Sequence, residues 1–427
     1  MSSLAELELE HLPVSAAAFA ADPLPCLEAA RRKHPWLARS DAGYVVTDYA
    51  AIKDILSMDD RLAFSVDTIV DIMGARGTGW GHFTLEMMLA RSGPDHQRLR
   101  GSVEEAFTPR AVNRLRPVMR SVVAELLDEW APKGAFDFAE FAAHFPVAVM
   151  FRLIGASPAA IPSIRHALEI QGLSYSLNPQ MMPEVEAAYQ VLWTFVDGLI
   201  AARGTKGGHG DLLDDLIAAN ASGGLSDVEL RQMLIFLFGA GYDTSKNQLT
   251  LILRRMIDHP EIWSRCAEDR PYCDKVVEEG FRYASPSNTY RSVTEAFDYR
   301  GVEFPAGLML FFPMTVAARD ARTFPDPDAF DPDRTHANRH LAFGRGMHIC
   351  LGQFMARAQI EEGLHLIAQR ITRPRLAGEE GWRPFLGVWG LKALPIAFDP
   401  APARAEAAGE PAAGLSACRH QRFGGSA

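Results

Sequence analysis

The chain reads as a mainly α-helical protein with a small β portion, built as one large domain. Three observations carry that reading. Helical patterning runs from Asp95 to about Asp258. Strand-like runs are confined to 43–48 and 290–312, and neither strand–helix alternation nor an internal repeat appears. A length of 427 residues would allow two or three domains of ~150, but no Ser/Gly-rich linker divides the chain. Residues 1–14 form an N-terminal arm and 15–400 the globular domain. The remainder, 401–427, is rich in Ala, Pro and Gly and is expected to be disordered.

Each element follows in order. Residues 14–62 mix short helical pattern with the strand-like GYVVTD at 43–48. Residues 63–94 scatter Phe64, Ile69, Met73, Trp80, Phe83 and Met87 among glycines, which predicts a greasy binding loop. The clearest helix opens at Ser226, with Glu229 three residues on as a capping box. It stops at His259-Pro260, because the residue before proline is driven out of the helical region. Such a helix of ~32 residues spans ~48 Å, enough to cross a domain. A further helix is expected at 272–283, ended by Ser285-Pro286. Short strands are expected over 290–312, then irregular chain over 320–340. A last long helix begins just after Cys350 and runs to about Arg370.

Composition narrows the function. The net charge of −10 argues against nucleic acid as a partner. The opening MSSLAELELEHLPVS has neither a basic start nor an apolar run, so it does not read as a signal peptide. No stretch of ~18 uncharged apolar residues predicts a membrane span. The cysteines Cys26, Cys266, Cys273, Cys350 and Cys418 form no CxxC pair, which fits free thiols in the cytoplasm.

Residues 341–357, LAFGRGMHICLGQFMAR, set Cys350 where irregular chain becomes helix. A helix start carries partial positive charge and free N–H donors, which favour thiolate. Gly344, Gly346 and Gly352 let the backbone approach a flat object, and His348 and Arg357 add donors for anionic groups. A thiolate so placed suits an axial haem ligand. A lone cysteine at a helix start is otherwise an ordinary buried thiol. The full run FGRGMHICLG, Phe343–Gly352, resembles the haem-binding signature FGxGxHxCxG of the cytochrome P450 monooxygenases at every fixed position.

Three further constellations agree with that resemblance. FGAGYDTSKN (238–247) places two glycines, an aspartate and a threonine at the centre of the long helix, where each glycine costs ~1 kcal/mol against alanine. It resembles the family's (A/G)Gx(D/E)T through Ala240, Gly241, Tyr242, Asp243 and Thr244. The resemblance implies a glycine that leaves space over the iron and an acid–alcohol pair, Asp243 and Thr244, that delivers protons. Lys246 departs from the usual pattern and is expected to face away from the haem. EEGFR (278–282) supplies the ExxR pair Glu279 and Arg282, completed by Arg334, as a structural network. DHQRLRG (95–101) resembles HxxxR. With His348 and Arg291, His96 and Arg100 make four cations for two haem propionates.

The resemblance spans about 15–400. It implies the triangular, helix-rich P450-type fold and one non-covalent haem b on the Cys350 thiolate. It also implies O2- and NAD(P)H-dependent hydroxylation, with electrons from a separate [2Fe–2S] ferredoxin and its reductase. Arg345, Arg110, Arg114 and Arg116 form the expected basic docking patch. Expected pocket walls include Phe83, Leu237, Ala240, Thr289, Val388 and Trp389, suited to a small or medium hydrophobic substrate of aromatic or terpenoid type. Arg76 offers an alternative anchor for a carboxylate. Two alternatives stay open: a haem-thiolate ligand-binding protein, and a peroxygenase that does not activate O2.

Overall fold

The helices that frame the interior are α1 (Gly79–Glu86), α2 (Gly93–Gly101), α3 (Pro109–Trp130), α4 (Phe138–Ile154), α5 (Ile161–Leu173), α6 (Met182–Arg203), α7 (Asp227–Ile257), α8 (Arg270–Tyr283) and α9 (Gln353–Arg370). A computed structural model describes residues 2–204, 208–335 and 340–400. The expected disorder of the tail therefore lies outside the described residues, as does Cys418.

α7 is the axis of the molecule. Ser226 caps it: its hydroxyl accepts the Glu229 N–H at 3.2 Å while its own N–H donates to Glu229 Oε2 at 2.8 Å. Over 31 residues the helix is buried on nearly every side, against α4, α5, α6, α8 and α9. Its middle is the exception. Ala240 is exposed, and Gly239, Gly241 and Thr244 are part-exposed, because they face an internal cavity.

The β portion is small and sits to one side. One sheet joins β1 (Leu37–Ser40), β2 (Gly43–Val46), β3 (Leu62–Phe64), β4 (Thr289–Val293) and β5 (Met309–Phe312) in the order β1-β2-β5-β4-β3. β2 and β5 run parallel and the other pairs antiparallel. With the N-terminal arm this sheet forms a second core around Trp36, Phe304 and Phe312, apart from the main helical core. A short hairpin, β6 (Gly381–Trp382) and β7 (Leu391–Ala393), lies near the end.

One sequence expectation fails in form. Residues 63–94 are not a loop: Val66–Ile72 and α1 are helical, and Trp80, Phe83 and Met88 are buried. The glycines mislead there. Gly79 and Gly81 lie inside α1, and Gly79 is small because α6 side chains crowd its Cα: a Cβ would meet Glu186, Gln190 and Tyr189 at 2.8 Å.

Candidate active site

The Cys350 loop is shaped by backbone geometry. Gly344 and Gly346 both adopt φ of 71°, a left-handed value that other residues avoid. A Cβ on Gly346 would overlap the Asp59 carboxylate, which accepts the Met347 N–H at 2.8 Å. The Cys350 N–H donates to the Phe343 carbonyl at 2.9 Å, and α9 begins three residues later. The helix start does not by itself make a thiolate. Burial pushes the Cys350 thiol up, and the Gly352 N–H, Arg100 and Arg357 only partly oppose it. Arg357 is also not free for an outside anion: it pairs with Glu278 and lies over the Phe343 ring at 4.4 Å.

Beside the loop is a cavity of about 350 Å3 whose walls include Cys350 and, from α7, Ala240, Gly241, Asp243 and Thr244. His96, Arg100, Arg291, Phe343, Gly344, His348 and Gly352 also line it, so the structure brings together every residue expected at the cofactor. Among the described residues no carboxylate hydrogen-bonds the cationic groups there, and Asp59 acts on Arg291 and His96 only through its field. Arg291 is buried and donates only to the Thr289 hydroxyl at 2.6 Å and the Tyr290 carbonyl at 2.9 Å. Arg100 donates to the Ile349 carbonyl at 3.0 Å. The His96 and His348 rings meet edge to face at 4.7 Å, and His96 Nε2 and His348 Nδ1 are buried without a hydrogen-bond partner. Burial, then Arg291, His96 and Arg100, push His348 down to about 3. Burial also pushes Arg291 down to about 10. Four nitrogen groups crowding one wall, two with orphaned buried atoms, fit a planar cofactor that brings carboxylates.

On α7 the Thr244 hydroxyl donates to the Ala240 carbonyl at 2.9 Å. Gly241 has a second role besides openness: a Cβ there would meet Met150 Sδ at 2.6 Å, so the glycine also lets α4 approach. Asp243 is deeply buried. Its Oδ1 takes the Arg383 guanidinium and the Asn247 amide, the latter at 3.1 Å. Gly172 of α5 makes room for it, since a Cβ there would overlap the carboxylate. Lys246 points away from the cavity, into an ion pair with Glu169 at 2.9 Å. Sequence reasoning missed Arg383, Asn247 and Gly172. The first and last are 140 and 71 positions from Asp243, with no local pattern to link them.

The structure brings Glu279, Arg282 and Arg334 together. Arg282 donates from Nε and Nη2 to Glu279 at 2.8 and 2.7 Å, and from Nη1 and Nη2 to the carbonyls of Pro327 and Ala329 at 2.7 and 2.8 Å. Arg334 Nε stands 3.5 Å from Glu279 Oε1. Of the expected pocket walls, Phe83, Leu237, Ala240, Thr289 and Val388 line the cavity. Trp389 does not: its indole N–H donates to the Ala20 carbonyl at 2.8 Å and its ring stacks on Trp382. Arg76 is also corrected, being exposed and paired with Asp71 and Asp67. Arg116 leaves the docking patch, since it binds Glu361 at 2.7 Å and Glu362 at 2.9 Å.

A helix-rich fold, a cysteine loop and a cation-lined cavity together define a haem-thiolate oxygenase scaffold. The family profile described as Cytochrome P450 matches residues 199–372. Luteothin monooxygenase of Streptomyces thioluteus is 34% identical over 372 residues, covering 86% of this chain and 91% of that protein. The monooxygenase PikC of Streptomyces venezuelae is 30% identical, covering 88% and 91%. A ligand-free crystal structure of a Mycobacterium smegmatis P450 superposes with a TM-score of 0.80 at 29% identity, covering 90% and 98%. The chain belongs to the cytochrome P450 family and is a haem-thiolate monooxygenase.

Proposed function

We propose that the protein binds one haem b through Cys350 and uses O2 and NAD(P)H-derived electrons to hydroxylate a small or medium hydrophobic molecule. The observation that carries this reading is the single cavity that holds Cys350, the nitrogen groups of His96, Arg100, Arg291 and His348, and Thr244 in its walls. When bound, the haem supplies the oxygen-activating chemistry. His96, Arg100, Arg291 and His348 hold its carboxylates, and the Phe343–Gly352 loop presents the sulfur. Thr244 Oγ1, now satisfied by its own helix, is the group placed to hold a proton at the cavity surface, with Asp243 behind it.

Substrate chemistry follows from the remaining walls. Phe83, Met88, Leu89, Phe236, Leu237 and Val388 are apolar, and uncharged polar groups such as Gln171, Tyr175, Gln248, Ser287, Asn288 and Thr289 are set among them. Tyr175 stays protonated, since burial pushes its hydroxyl far up. Such a wall favours an aromatic or terpenoid-like molecule with few polar groups. A 34%-identical relative is a luteothin monooxygenase and a structural relative is a monooxygenase bound to tirandamycin C, which supports an organic molecule as the substrate.

Electrons come from a [2Fe–2S] ferredoxin and its reductase in the cytoplasm. The proposed docking face joins exposed Arg345, Arg110 and Arg114 with Ile349 and Phe354, which are 38% and 41% exposed next to the cysteine loop. No helix among the described residues is long and apolar enough to cross a membrane. The test is a carbon-monoxide difference spectrum, then NADH and O2 consumption with a ferredoxin system. Absence of the thiolate-type band ends the haem reading. A thiolate band without O2-dependent product leaves the binding-protein or peroxygenase alternatives.

A further inference from the structure

The Asp243 carboxylate is anchored from outside its own helix. Its side chain is 2% exposed and that of Arg383 is 4%, so the pair is removed from water. Removing one member of such a pair strands the other, which makes the geometry strongly enforced. The anchoring is one-sided. Oδ1 takes both Arg383 and Asn247, while Oδ2, and Arg383 Nε and Nη2, have no hydrogen-bond partner among the described residues. Arg383 is not itself a cavity wall, so it is not a substrate anchor.

The loop that carries Arg383 does touch the cavity. The Arg383 N–H donates to the Gly390 carbonyl at 3.0 Å, closing the β6–β7 loop. Its middle places Gly387 and Val388 in the cavity wall. Asn288 donates to the Phe385 carbonyl at 2.6 Å and the Trp389 N–H to the Pro286 carbonyl at 2.7 Å, which fixes the loop against the entry to β4. At its end, Gly390 packs so closely on Asn247 that a Cβ would overlap the amide. One loop therefore meets α7 twice, at Asp243 and Asn247, and also meets whatever fills the cavity.

We propose that Arg383 is a positioning residue of the oxygenase reaction: it sets where the Asp243 carboxylate stands relative to Thr244, and so sets proton delivery without taking part in haem or substrate binding. The inference rests on the acid–alcohol reading above. Because Arg383 and Val388 share one loop, substrate that presses on Val388 also bears on the position of Asp243.

The test compares Arg383→Gln and Arg383→Lys with Thr244→Ala and Asp243→Asn in the holoenzyme. The substrate probe is whichever of limonene, naphthalene and lauric acid gives the largest spin shift. The C–O stretch of the reduced carbon-monoxide complex, recorded without substrate, reports the polarity facing the ligand. Arg383→Gln is expected to keep haem content and probe affinity within about twofold, to raise hydrogen peroxide per NADH about threefold or more, and to shift the C–O band. Arg383→Lys should fall between wild type and Arg383→Gln, a graded rescue that loss of packing alone would not give. Wild-type coupling and an unmoved band in Arg383→Gln overturn the inference if Thr244→Ala still diverts electrons to peroxide. Should Arg383→Gln fail to fold, wild-type behaviour of Arg383→Lys overturns it instead. Unchanged coupling in both Thr244→Ala and Asp243→Asn would remove the acid–alcohol reading itself.

Discussion

Glu279 and Arg282, three residues apart on α8, are both fully buried and share two hydrogen bonds of 2.7 and 2.8 Å. At a surface this spacing is worth under ~1 kcal/mol. In the interior the pair becomes a hub, because its remaining donors and acceptors take the backbone of the segment before the cysteine loop. Arg282 holds the Pro327 and Ala329 carbonyls, and Glu279 accepts the Asp331 N–H at 2.8 Å. Truncating one partner leaves an uncompensated charge, at a cost of about 3–5 kcal/mol. Glu279→Ala is therefore expected to lower the melting temperature and to lose the thiolate-type carbon-monoxide band together. A variant that melts like wild type would show that the hub does not hold the loop.

The hub also shows what the sequence could and could not reveal. ExxR, the cysteine signature and the glycine-rich helix centre are local spacings, so Glu279, Arg282, Cys350, Asp243 and Thr244 were legible without coordinates. Arg383 and Gly172 were not, because their only relation to Asp243 is tertiary. The 63–94 stretch reads as a loop in sequence because glycines that serve α1–α6 packing look the same there as glycines that make turns. Trp389 was misplaced for a related reason. It neighbours Val388, but successive strand-like residues face opposite ways, and its indole turned to Ala20 and Trp382.

Two glycines allow a paired prediction. Alanine at Gly241 meets Met150, a flexible side chain that can yield, whereas alanine at Gly172 meets a carboxylate pinned by Arg383 and Asn247. Gly172→Ala is expected to cost about 1–3 kcal/mol through overpacking, and Gly241→Ala about 1 kcal/mol or less, helped by helix propensity. Urea unfolding of the two variants checks the order. The reverse order would mean that Asp243 is free to move.

α1 roofs the cavity and is held by Glu186 of α6. The Glu186 carboxylate accepts the N–H groups of Gly79 at 3.2 Å and Trp80 at 2.8 Å. Burial pushes Glu186 up, but the Trp80 N–H, Gln190 and the Gly79 N–H outweigh it and hold the carboxyl below its usual range. A depressed carboxyl stabilises the fold above its unfolded pKa of about 4.3 and loses that contribution as pH falls through the lower folded value. The protection factors of residues 79–86, measured against the intrinsic exchange rate at each pH, should therefore be high near neutrality and fall below about pH 4, ahead of global unfolding. Glu186→Gln should show fast exchange already at neutral pH. Equal protection in variant and wild type would remove Glu186 as the latch.

Arg291 makes a prediction of opposite signs. Its guanidinium is buried near His348, hydrogen-bonds only two neutral acceptors among the described residues, and draws only partial compensation from the Asp59 carboxylate, so burial is a cost the fold carries. Replacing it with an apolar side chain of similar length removes that cost, while a carboxylate-bearing cofactor loses a charge-assisted partner. Arg291→Met is thus expected to melt higher than wild type without haem, yet to bind haem about tenfold or more weakly, as judged by titration and by transfer to a competing apoprotein. If the variant were less stable without haem and bound haem equally well, Arg291 would be a packing residue and the cation cluster would lose its deepest member.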